Sequence, residues 1–239
     1  MAIIFDDADA ADFSNWTATG LGDGGTELSV QQVTVAHGVN AYKATVDDND
    51  VLYMRWNPVS GQSEIYWMFY FMVPSGWTLN TADIFWLNGL FETGAIRQLL
   101  ELKEVSGVLK LQAMYGWGAG ASNHFGTDEA MIEITEDIWH VFKGHWKAES
   151  AADQNDGISE GWLDGVQIFN KTNVPDSDTH VVNRCYGAYL YNFAVAPLTP
   201  DLTVYLDDFK IDDAAFPTIG GAFPWLYLPN RQVIGAGQL

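Results

Sequence analysis

The chain has 239 residues, close to half of them apolar, and a formal charge of −20. That length fits one large β domain or two small ones, with apolar content enough to bury a core without metal or disulfide staples. The acidity excludes a general nucleic-acid binder, which needs phosphate-facing Lys and Arg, and argues against an anionic membrane surface.

The chain opens with "MAIIFDDADAADF", which has no basic leader region and no long apolar stretch, so no signal peptide is expected. No apolar run reaches the roughly 20 residues that a membrane helix requires. The expected location is a virion, or the cytoplasm until lysis. Asp6 and Asp7 end the first strand-like segment. The turn-forming "DDNDV" follows at 47–51. In "SEIYWMFYFMVP" both alternating faces are aromatic or apolar, which predicts a central strand covered on both sides. The best short helix falls near 77–83. "AIRQLLELKEVSGVLKLQAMYGW" reads as two strands joined by a turn at Ser106-Gly107.

The next stretch, "WHVFKGHWK", alternates as a strand and places Trp139, Val141, Lys143, His145 and Lys147 on one face. Only eleven Lys or Arg occur in the chain, so a row of Lys143, His145 and Lys147 at a spacing of two is notable. Such a row neutralises a uronic-acid carboxylate, or is simply a solvated polar face. In "EGWLDGVQIFN", Asp164-Gly165 predicts a two-residue hairpin, because a type I′ turn needs positive φ at both central positions. "NRCYGAYLYNF" holds the single cysteine, Cys185, expected to be a buried inert thiol. In the same strand Tyr189 and Tyr191 share a face and offer both stacking and a proton. The last strand, "LTVYLDDFKIDD", carries Asp207 and Asp208. From about residue 214 a Pro/Gly-rich tail begins, with Trp225 and Tyr227 in it, after a β-sandwich expected over 1–213. The tail is either a strap on its own domain or a docking segment for other subunits.

These stretches resemble a known family. "WHVFKGHWKAE", "NDGISEGWLDGVQIFNKTNV", "YGAYLYNF" and "LTVYLDDFKI" look like the C-terminal half of concanavalin A-like jelly rolls. The closest likeness is to polysaccharide lyases of alginate-type polymers and to lectin-like modules. The opening "FDDADAADFSNWTATG" resembles their first strand and turn. The resemblance implies an all-β, concanavalin A-like jelly-roll β-sandwich of two antiparallel sheets. It specifies fold far better than activity, since the matching residues are mainly turn-makers and core aromatics.

A lyase of this kind implies a group that neutralises the uronate carboxylate, a base for the C5 proton and an acid for the leaving oxygen. The candidates are Arg97, Lys143, His145, Lys147, Tyr189 and Tyr191 as ligand-binding residues, with Lys143, His145, Tyr189 and Tyr191 catalytic if the chain is an enzyme. Arg97 and Glu101 share a strand face and equally make a structural ion pair. A hydrolase pair of glutamates is not expected from "MIEITED", where Glu133 and Glu136 lack the usual spacing. Asp6, Asp7, Asp207 and Asp208 form a candidate calcium site where first and last strands meet, since oxygen ligands suit that ion. No organic cofactor is expected. The leading expectation is a lectin-like, virion-associated protein, a capsid decoration or tail accessory that contacts host polysaccharide, with other virion subunits held through the tail. The alternatives are a polysaccharide lyase acting by β-elimination and a purely structural subunit.

Overall fold

The computed structural model describes residues 2–6, 8, 11–21, 27–46, 51–58, 60–77, 79, 85–93, 95–115, 131–151, 154–174, 181–192 and 201–216. Two antiparallel sheets account for fifteen strands, numbered in chain order. The first sheet runs β13 (Val166–Val174), β12 (Gly157–Leu163), β11 (His140–Lys147), β6 (Glu64–Met72), β15 (Leu202–Asp212), β4 (Ala41–Val46) and β3 (Leu28–Gln31), with β1 (Ala2–Asp6) also paired to β15. The second runs β10 (Ile132–Glu133), β9 (Val108–Tyr115), β8 (Ala95–Val105), β7 (Phe85–Glu92), β14 (Arg184–Asn192), β5 (Val51–Trp56) and β2 (Ala18–Gly20). This is the jelly-roll sandwich of two antiparallel sheets that the resemblance implied.

Alternation decides which side chains meet between the sheets. Ile65, Trp67, Phe69 and Phe71 of β6 face Phe85, Leu100, Leu102, Leu111 and Leu190 of the second sheet in one buried cluster. The outward residues of β6 are buried as well, with Met68 and Tyr70 nearly inaccessible, as its two-sided apolar pattern requires. The predicted turns have the required handedness: φ is 57° and 80° at Ser106-Gly107, and 50° and 83° at Asp164-Gly165. Cys185 is buried in the core, and that burial pushes its thiol pKa far up. Trp77 and Leu79 belong to no helix; most of the short-helix segment near 77–83, the turn at 47–50 and the tail at 217–239 lie outside the described residues.

One polar node crosses the core. Gln98 of β8 accepts a hydrogen bond from the Trp67 indole at 2.6 Å and donates to Ser159 Oγ at 3.0 Å and to the Glu160 carbonyl at 3.1 Å. A buried amide survives here because its donors and acceptor find partners on the opposite sheet.

Candidate functional site

Lys143, His145 and Lys147 do share the outward face of the first sheet, since Phe142, Gly144 and Trp146 point into the core. His145 is not free there. Its Nδ1 lies 2.9 Å from Glu160 and its Nε2 3.0 Å from Glu64. Tyr66 stacks flat on the imidazole at 4.1 Å between centroids, and Phe216 packs edge-on against Tyr66 and Trp162. Burial would raise the Glu64 pKa, but hydrogen bonds from His145 and Tyr66 and the Lys147 charge leave it lowered. Both imidazole nitrogens are thus engaged by carboxylates, which leaves neither to take a proton from a substrate.

The acidic residues also divide. Asp6 accepts hydrogen bonds from the Ala8 amide at 3.0 Å and the Tyr42 hydroxyl at 2.7 Å, on the core side. Asp207 accepts the Ala36 and His37 amides at 3.0 Å, and the Asp208 carboxylate sits 2.5 Å from His37 Nδ1. Asp7 lies outside the described residues. Among the described residues no three His, Cys, Asp or Glu side chains are grouped to hold a metal.

Arg97 and Tyr189 lie on the other sheet altogether. On β8, Gln98, Leu100 and Leu102 face the core and Ile96, Leu99 and Glu101 face outward, with Arg97 the extra residue of a bulge between Ile96 and Gln98. Arg97 is buried and pairs with Glu92, not with Glu101. Tyr191 pairs with Trp86 of β7 and Val51 of β5 along the backbone. The two halves of the predicted site therefore belong to strands of different sheets.

The outer face of the second sheet gathers groups that period-two reading passed over. A bulge in β14 between Tyr186 and Ala188 turns Tyr186 onto the same side as Tyr189, although the two are three residues apart. Their rings lie 4.5 Å apart between centroids. Gly187, inside that bulge, has no room for a side chain: an added Cβ would sit 2.1 Å from the Trp16 ring. Tyr186 lies opposite Arg55 of β5, and Tyr189 opposite Tyr53. The Arg55 guanidinium lies 5.7 Å from the Tyr53 ring centroid, and its buried Nε has no hydrogen-bond partner. Trp86 and Phe91 complete an aromatic floor, 5.6 Å and 5.1 Å from Tyr189. The only sequence signal for Arg55 and Tyr53 was their alternation with Leu52 and Met54 in "VLYMRW".

Next to Trp86 on this face stands Glu101, with Gln112 of β9 opposite it. Glu101 is nearly inaccessible and its Oε2 has no partner; burial raises its pKa to about 7, against a small pull from Lys103. Burial likewise lifts Asp207 to about 8, helped by the Asp208 charge and opposed by the backbone amides of His37, Ala36 and Asp208. His140 is pulled down by burial, yet its contacts with Asp164 at 2.7 Å and the Thr135 carbonyl at 2.9 Å outweigh this and raise it.

For all three groups the folded state holds its proton more tightly than the unfolded chain. Their stabilisation is therefore complete below the unfolded pKa values and fades as pH rises through the folded ones. The melting temperature should climb by several degrees from pH 8.5 to pH 6. Glu101→Gln combined with Asp207→Asn should flatten that slope. A melting temperature that falls over the same interval in the wild type would contradict the assignment.

No family model and no curated protein matches the sequence. Solved structures do match. An endo-β-1,4-glucuronan lyase from the fungus Trichoderma reesei superposes with a TM-score of 0.65 at 15% identity, over 88% of this chain and 95% of that one. Alginate lyase Aly36B gives 0.61 at 11% identity, over 89% and 93%. The cellulose induced protein Cip1 gives 0.58 at 16% identity, over 88% and 97%. At these identities the likeness is one of fold.

Proposed function

We propose that the chain is a polysaccharide lyase that cleaves uronate polymers by β-elimination on the outer face of its second sheet. The observation that carries the reading is the half-buried Arg55 held beside the Tyr186–Tyr189 pair on the outer face of the second sheet. Glucuronan and alginate lyases among the fold neighbours support it.

Elimination breaks the C5–H and C4–O bonds of a uronate and forms a C4–C5 double bond. The C5 proton is acidic only when the adjoining carboxylate is neutralised, because the electron pair released from C5 spreads onto it. Arg55 is the cation placed for that task, and guanidinium suits a carboxylate because its donors match both oxygens. Tyr189 is the half-exposed hydroxyl placed to move the proton from C5 toward the departing O4. Trp86 and Phe91 supply ring faces against which sugars pack. A sugar that covers this floor excludes water from it, which strengthens the guanidinium–carboxylate attraction.

The direct test is absorbance at 235 nm, where the conjugated product absorbs, with glucuronan and alginate as polymers. Product release is the expected result. Binding to either polymer with no absorbance change would instead leave a lectin-like module, and no binding would leave a structural subunit.

A further inference from the structure

We infer that Lys103 and Lys110 form a carboxylate-binding subsite for a uronate unit that adjoins the one at Arg55 and Tyr189. The inference rests on the lyase reading for the identity of the polymer, and on independent geometry for the place.

Lys103 of β8 and Lys110 of β9 are direct cross-strand partners. They share the outward face with Glu101 and Gln112, the pair one step along the same two strands. Like charges set directly opposite each other destabilise a sheet, and a chain of charge −20 has many carboxylates with which to avoid this. Neither lysine has an ion-pair partner among the described residues. Glu133 lies opposite Lys110 on the edge strand β10, and Glu104 turns its carboxylate to the Leu79 amide. Glu101, whose pKa burial raises to about 7, is only partly ionised near neutral pH and so offsets the two ammonium charges only in part.

The position fits a polymer. β14, β7, β8 and β9 are consecutive neighbours, spaced about 4.8 Å apart, and the two pairs lie about 7 Å apart along the strands. A chain seated at Tyr189 crosses Trp86 and brings a later carboxylate to the lysines. The subsite would thus select polyanionic over neutral glycans, and would do so away from the bond that breaks.

Calorimetric titration with tetraglucuronate and with its neutral counterpart, cellotetraose, tests the subsite. The parent is the Tyr189→Phe protein, so that the ligand is not consumed. Adding Lys103→Gln and Lys110→Gln should weaken tetraglucuronate binding by about tenfold, as expected for two lost charge-assisted contacts, and leave cellotetraose unchanged. Lys43→Gln, on β4 of the other sheet, removes a like charge and should change neither. Equal affinity of the double-lysine variant and its parent overturns the subsite, as does failure of the parent to bind tetraglucuronate. The two readings fail separately. A wild type that yields no 235 nm product while the lysine effect persists sinks the lyase and keeps the subsite; product formed with an unchanged KM in the double variant does the reverse.

Discussion

Replacing Arg55 with alanine should lower kcat on a uronate polymer by about 10²–10³, the usual loss when a preorganised charge-stabilising group is removed. The guanidinium is needed most when negative charge has moved from C5 onto the carboxylate, so the loss belongs in kcat more than in KM. Arg55→Lys should recover only part of it, since an ammonium cannot match both carboxylate oxygens. Tyr189→Phe removes a hydroxyl and keeps the ring that packs on Trp86 and Phe91. Its expected cost is about 10²–10⁴ in kcat with the melting temperature retained. His145→Ala provides the contrast. Its partners Glu64 and Glu160 would be left facing each other, so it should destabilise the first sheet and spare kcat. Full activity in Arg55→Ala, or its loss in His145→Ala at unchanged stability, would return the site to the first sheet.

The contrast shows which parts of the molecule the sequence makes legible. Strand positions, both Asp/Ser-Gly turns and the central β6 follow from alternation and from backbone conformations that few residues tolerate. Alternation also placed Lys143, His145 and Lys147 on one face correctly. It carries no information on what faces them across neighbouring strands, and Glu64 and Glu160, 81 and 15 residues away, decide what His145 can do. Nor does it say which sheet a strand joins. Arg97 and Tyr189 resembled partners of the lysine row by residue type, yet their strands lie in the other layer. The Tyr186–Tyr189 pair was hidden for a third reason: a bulge breaks the period of two, and nothing local marks it except Gly187. Arg55 was legible only as an outward residue between two core residues. Its significance comes from Tyr186 opposite, more than a hundred positions later.

The largest stability effect should come from a single methyl group at Gly144. This glycine lies on the core side of β11, where an added Cβ would approach Trp67 Nε1 to 2.1 Å and Gln98 Oε1 to 2.7 Å. Those two atoms are the donor and acceptor of the 2.6 Å bond that links the sheets. Neither can retreat cheaply. The indole is fully buried between Phe69 and Phe142, and the Gln98 amide is fixed by Ser159 and the Glu160 carbonyl on its other side. Gly144→Ala must therefore break the indole–amide bond inside the core or push β6 away from β11, at about 2–4 kcal/mol in either case. Two-state urea unfolding should show a lower midpoint at an unchanged slope. Gln98→Leu separates the two costs, because it removes the amide and leaves the indole N–H without its acceptor. If strain dominates, Gly144→Ala stays costly in the Gln98→Leu background; if the lost bond dominates, its effect there falls toward zero. An alanine variant as stable as the wild type would mean that the close approach of β11 to the Trp67–Gln98 bond does not hold the two sheets in place.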